Sequence, residues 1–244
     1  MFRLYWKEIN SFLNSLIGYI VICVFLTCLG LFLWIFEGTG FNIIESGYAS
    51  IDPLFIITPW VYMFLVPAIT MRMFAEEQKS GTMELLLTLP LTESRIIAAK
   101  FLAGSTLVLI SLIPTLLYYF SVYQLGAQTG NIDSGSTFGS YIGLLLLGMV
   151  FVSVGVFASS LTENQVVSFI IALFLCFFMY AGFDSLSAFF NYEGPGRILY
   201  QLGINAHYSS ISRGVLDTRD LIYFISAILF FNVLCKLVIE SRKW

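Results

Sequence analysis

Long apolar runs divided by short polar stretches dominate this chain. Six of them, at approximately residues 16–36, 54–71, 101–123, 141–161, 166–183 and 221–237, are long enough to be transmembrane helices, since about 20 helical residues cross a hydrocarbon core of roughly 30 Å. Leu144 to Leu147 and Phe174 to Phe178 are apolar at every position. That excludes the in-and-out alternation of a transmembrane barrel strand. The expected fold class is an all-α integral membrane protein, a bundle of six helices over residues 16–244.

The polar stretches carry their own periodicity. Before the first run, Phe2, Tyr5, Trp6, Ile9, Phe12, Leu13 and Leu16 recur at helical spacing against Arg3, Lys7, Glu8, Asn10, Ser11 and Asn14. This pattern fits an amphipathic helix over residues 1–15 lying at the membrane surface, or an extension of the first span. Asp52-Pro53 marks the start of the second span. Only Thr162 to Gln165 separate the fourth and fifth runs, so those helices are antiparallel neighbours, with Thr162 or Asn164 as the cap. In the long stretch 184–220, Ile204, Tyr208, Ile211 and Val215 predict a short helix ending near Gly214. Asp217 or Thr218 then caps the last span.

The composition agrees: 58% hydrophobic and 11% charged residues, with a mean hydropathy of +0.87. With the N-terminus in the cytoplasm, Arg3, Lys7, Arg72, Lys79, Arg95, Lys100, Lys236, Arg242 and Lys243 lie inside, and Arg197, Arg213 and Arg219 outside. This excess predicts that both termini are cytoplasmic. The first run is too long for a secretory signal and lacks a cleavage site after it. Cys23, Cys28, Cys176 and Cys235 all fall in spans, and His207 is the single histidine, which argues against a disulfide framework or a metal centre. The middles of the spans hold no ionisable residue of the kind that relays protons or ions. There is no P-loop, nucleophile elbow or zinc-protease helix, so neither an enzyme nor a self-powered pump is expected.

One segment breaks the economy of charge. Residues 72–100 form a cytoplasmic loop in which the second span continues through Glu76 and Glu77 to Lys79. Gly81 ends that helix in the left-handed conformation. Thr82 caps a new helix with Glu84 in its first turn, which displays Leu85, Leu86, Leu87 and Leu89 until Pro90 breaks it. Thr92 or Glu93 then begins a helix running through Lys100 into the third span. Such a short helix suits the grip of a soluble motor domain, and equally a place where leucines rest on the bilayer.

The string from Glu76 to Pro90, Glu-Glu-Gln-Lys-Ser-Gly-Thr-Met-Glu-Leu-Leu-Leu-Thr-Leu-Pro, resembles the signature that follows the second span in ABC-2-type transporter permeases. Stretches such as Ser159 to Gln165, Ser212 to Asp220 and Glu240 to Trp244 resemble, more narrowly, the gliding-motility-associated permeases. The resemblance implies a bacterial inner-membrane permease subunit in which Glu76, Glu77, Gly81, Thr82, Glu84, Leu85, Leu86 and Pro90 form a coupling helix against a separate ATP-binding subunit. That partner would hold ATP and magnesium, leaving no cofactor, metal or catalytic residue in this chain. It further implies a second permease copy or homologous subunit, a lipid environment, a possible extracytoplasmic auxiliary subunit, and no nucleic-acid partner. The alternatives are a complex that transmits force to an extracytoplasmic partner without moving a solute, and a stand-alone membrane scaffold or enzyme. No substrate residue stands out.

Overall fold

The computed structural model describes residues 1–88, 91–126, 130–191 and 194–241. All regular structure among them is helical. The chain runs through α1 (Phe2–Leu13), α2 (Leu16–Gly30), α3 (Ile43–Ser46), α4 (Asp52–Thr70), α5 (Ala75–Lys79), α6 (Met83–Thr88) and α7 (Glu93–Leu112). It continues as α8 (Leu116–Leu125), α9 (Ser134–Leu161), α10 (Gln165–Phe177), α11 (Phe183–Ala188), α12 (Pro195–Leu202), α13 (Ile204–Ile211) and α14 (Thr218–Ser241). Among the described residues, six helical stretches are long and apolar enough to span a membrane: Leu16–Ile35, Asp52–Lys79, Glu93–Leu125, Ser134–Leu161, Gln165–Ala188 and Thr218–Ser241.

Helix α9 is the axis of the bundle, packed against α14, α4, α10 and α7. Its small residues let neighbours approach closely. A Cβ on Gly155 would collide with Thr70 of α4, and one on Gly143 with Ile211 of α13. The small pair Gly155 and Ser159 therefore makes its close contact within the chain. In the second, third and fourth spans 67%, 61% and 72% of the apolar window is buried, against 22%, 22% and 33% in the first, fifth and sixth. The middle three spans are the core, while the outer ones turn apolar surface outward. Between α2, α4 and α10 lies an apolar cavity of about 700 Å³, lined by Phe25, Cys28, Ile57, Trp60, Phe64 and Phe169 among others.

Several boundaries differ from the sequence expectation for physical reasons. The fourth span begins at Ser134 rather than near residue 141, because the Asp133 carboxylate accepts from the Gly135 and Ser136 amides and starts the helix among its glycines and serines. The first span ends in a π-helical turn, Leu31–Ile35, and the fifth contains one, Phe178–Gly182, between α10 and α11. The stretch after the fifth span holds two helices, α12 and α13, where one was expected. Asn164 is the cap of α10, and Asp217 accepts from the Arg219 amide at the head of α14.

Candidate functional site

The segment singled out by sequence lies where the second, third and fourth spans meet. The expected continuous helix through Lys79 is interrupted: α4 stops at Thr70, residues 71–74 form turns, and α5 begins at Ala75. Ser159 of α9 makes the break tolerable. Its hydroxyl accepts from the amides of Phe74 (2.9 Å) and Ala75 (3.1 Å) and donates to the Met71 carbonyl (3.1 Å). One buried side chain thus serves three backbone groups that have left the helical ladder, groups that are costly to bury alone. The Gln78 amide also donates to the Ser160 carbonyl (3.0 Å), tying α5 to the end of α9.

Beyond α5, Gly81 takes the left-handed conformation (φ +69°), as its position after the helix requires. The Thr82 and Ser80 hydroxyls pair at 2.9 Å, and α6 follows with Glu84 in its first turn. Glu76, Lys79, Gly81, Thr82, Glu84 and Leu85 are exposed. Leu86 is buried in the core cluster, so its side chain is turned inward rather than displayed as the sequence suggested. Pro90 and Leu89 lie outside the described residues. Thr92 occupies the cap position of α7.

Glu77 also turns inward, into an ion cluster that the sequence reading did not anticipate. Lys100 of α7 is fully buried. Its ammonium lies 2.7 Å from Glu8 Oε1 of α1 and 3.0 Å from Glu77 Oε2, donates to the Met73 carbonyl, and sits 4.9 Å above the Phe74 ring. The Glu77 contact is an ion pair without the alignment of a hydrogen bond, while Glu77 Oε1 accepts from Lys7 of α1 at 3.1 Å. Burial works against the Lys7 charge, but the hydrogen bond to Glu77 and the charges of Glu77, Glu8 and Glu76 outweigh it and raise the Lys7 pKa. Two lysines and two carboxylates close the cluster with no net charge.

Two further contacts fasten α1. The Tyr5 hydroxyl bonds Thr106 of α7 (2.9 Å), and Arg72 donates to Ser15, in the turn between α1 and α2 (3.0 Å). Ser15 also accepts from the Ile17 amide, so α1 is separate from the first span rather than its extension.

A signal for Lys100 was present in the chain. Ile96, Ile97, Lys100, Ala103, Gly104 and Leu107 share one helical face and are all buried. Glu8 similarly lies one turn from Leu4 and one from Phe12, both buried. Charge counting alone had left these ionic residues at a wetted surface.

Among the described residues no cluster of metal-ligating side chains is present. The arrangement is an exposed polar helix pair held by buried ionic and hydrogen bonds to α1 and to the third and fourth spans. A family model described as ABC-2 family transporter protein matches residues 3–212. No curated protein matches the chain.

Proposed function

The chain belongs to the ABC-2 family of transporter proteins, and we propose that α5 and α6 are where a separate ATP-binding subunit grips this permease. That subunit would bind ATP and magnesium on the cytoplasmic side, with both termini of this chain on the same side. The observation that carries the reading is the pairing of an exposed face, Glu76, Lys79, Glu84 and Leu85, with an anchored back, Glu77 and Leu86. A push on the exposed face passes into α7 through Lys100, into α1 through Glu8 and Lys7, and into α9 through Ser159. Because the second span is broken at residues 71–74, α5 can pivot there without bending the core of α4.

The second permease subunit, a copy or a homologue, would cover the exposed face of the first and fifth spans, where the apolar cavity opens. The work driven is export or motility-linked, as in the gliding-motility-associated permeases that several stretches resemble.

The test is a mild-detergent purification of the chain from its native membrane with protein identification and an ATPase assay, repeated with Glu84→Arg. Glu84 is exposed, so this change should leave the fold within about 0.5 kcal/mol while removing the ATP-binding subunit. Recovery of the chain without any ATPase, across several detergents, refutes the proposal. Stimulated ATPase activity that needs an extracytoplasmic partner and no solute would favour force transmission over export.

A further inference from the structure

At the end of the bundle away from α5 and α6, the single histidine of the chain closes a junction between three helices. His207 of α13 places Nδ1 2.7 Å from Asp220 Oδ1, in the first turn of α14, and Nε2 2.9 Å from the Gln201 carbonyl, at the end of α12. Its ring stacks on Tyr223 of α14, with centroids 4.0 Å apart and planes at 20°. The Tyr223 hydroxyl donates to the neighbouring Leu202 carbonyl at 2.6 Å. The end of α12, whose last carbonyls lack partners within the helix, is therefore closed by a histidine and a tyrosine from elsewhere in the chain.

Proton counting decides what this geometry requires. The Gln201 carbonyl only accepts, so Nε2 must carry a hydrogen. The Asp220 carboxylate also accepts, so a second proton must lie between Nδ1 and Oδ1. A neutral ring beside an ionised Asp220 has one hydrogen for two contacts, leaving a lone pair facing an oxygen at one of them. The surroundings favour the extra positive charge: Asp220 is 8% exposed, the carbonyl end of a helix attracts a cation, and Tyr223 offers its ring face. Among the described residues, the ring's polar partners are Asp220 and the Gln201 carbonyl, with no basic side chain bonded to it. The other carboxylate nearby, Asp184 of α11, accepts from Asn205 on the same helix as His207.

We infer that His207 and Asp220 form a proton-dependent latch that fastens the end of α12 to the head of the last span. With the proton in place, α12, α13 and α14 are joined. When it leaves, the ring keeps a hydrogen for only one of its two contacts, so the link from α12 through His207 to α14 is broken and the Tyr223 bond to Leu202 alone holds the end of α12. Helix α13 stays seated by independent bonds, from Tyr208 to the Phe55 carbonyl (2.7 Å) and from Ser140 to the Ser212 carbonyl (2.9 Å). The proton thus governs α12 rather than the whole end of the bundle, and this inference does not depend on how the opposite end is driven.

The experiment uses the full chain in lipid nanodiscs, purified through a tag without histidine and labelled with ¹⁵N-histidine, so that one imidazole reports. Titrating from about pH 5 to 8, where histidine changes charge, should take the ring from two protonated nitrogens to one. Corrected amide exchange over residues 195–202 should rise about tenfold across the same interval, the loss expected for one charge-assisted hydrogen bond, while residues 204–211 change little. Asp220→Asn, which keeps the shape but removes the accepting carboxylate, should uncouple exchange at residues 195–202 from pH. Exchange in Asp220→Asn that still follows pH as in the parent overturns the inference, as does parent exchange at residues 195–202 that ignores the ring's charge. If Asp220→Asn does not fold, the wild-type exchange profile decides alone.

Discussion

At one end of the bundle a lysine is fully buried between two carboxylates and a carbonyl; at the other a histidine stands between one carboxylate and one carbonyl. Both junctions join separate helices through a cation, α1, α5 and α7 at the lysine and the consecutive α12, α13 and α14 at the histidine. They differ in the kind of cation. The Lys100 ammonium faces two carboxylates and a carbonyl, as many partners as it has hydrogens, so this junction does not hang on one shared proton and is the permanent one, suited to a part that must transmit force. The His207 ring makes both of its contacts only with a second proton between Nδ1 and Asp220, so that junction can be released. The difference teaches that a charge held between helices is not by itself a switch; a contact that depends on one shared proton is.

The comparison breaks most readily at Lys100. Lys100→Met removes the buried cation and leaves Glu8 and Glu77 facing each other without it. Stability should fall by about 3–5 kcal/mol, the range for stripping one partner from a buried pair, read as thermal unfolding in detergent. Combining it with Glu8→Gln and Glu77→Gln should recover part of the loss, because the stranded charges go too. A single variant as stable as the parent would show that the junction does not hold the fold. Next in size is Ser159→Ala, which strands the Phe74 and Ala75 amides at roughly 1–3 kcal/mol for each group left without a partner. Its amide exchange should rise at residues 71–79 before anywhere else.

These two positions also mark what the sequence could and could not reveal. The six spans were legible because each is a long apolar run, and Gly81 and Asn164 were legible because their roles are local. The burial of Lys100 was written in its helical phase with Ile96, Ala103 and Leu107, yet treating every lysine as a mark of the wetted side hid it. Ser159 was visible as a small residue suited to close packing, but its hydrogen bonds to residues 71–75 depend on where α4 stops, which no local pattern encodes. The partners of His207 were equally obscure: Asp220 lies on another helix, and the Gln201 carbonyl belongs to α12, which the sequence reading left without a helix. The site residues Glu76, Gly81, Thr82, Glu84 and Leu85 lie on the exposed side, whereas Glu77 and Leu86 turn inward. A motif read as one strip thus divides into a face and an anchor.

The histidine end should respond more weakly. His207→Gln keeps a side chain that can donate one hydrogen bond but loses the cation and the stack on Tyr223. Stability should drop by about 1.5–3 kcal/mol at the acidic end of the range, the value of a hydrogen bond to a charged group. The gap should narrow as the pH rises toward about 8, where a histidine is ordinarily neutral, and the part owed to the Tyr223 stack should remain. A constant gap between them across the range would mean that the ring contributes by packing alone.

The smallest effect, and the sharpest separation of the two ends, is expected at Lys7. This residue holds the outer side of the Lys100 junction, and its own side chain is 61% exposed, so Lys7→Gln should cost under about 1 kcal/mol. Its pH dependence has a definite sign. The folded-state pKa is raised above the ordinary 10.5, so the stabilisation is complete at any pH below the unfolded value and is lost as the pH rises through the raised one. Parent and Lys7→Gln should therefore differ by a constant amount through the interval in which the histidine end changes, and should converge only in strong alkali. If the gap closed between about pH 5 and 8 instead, the junction at Lys100 would be responding to the same proton as His207, and the division into a permanent end and a releasable end would fail.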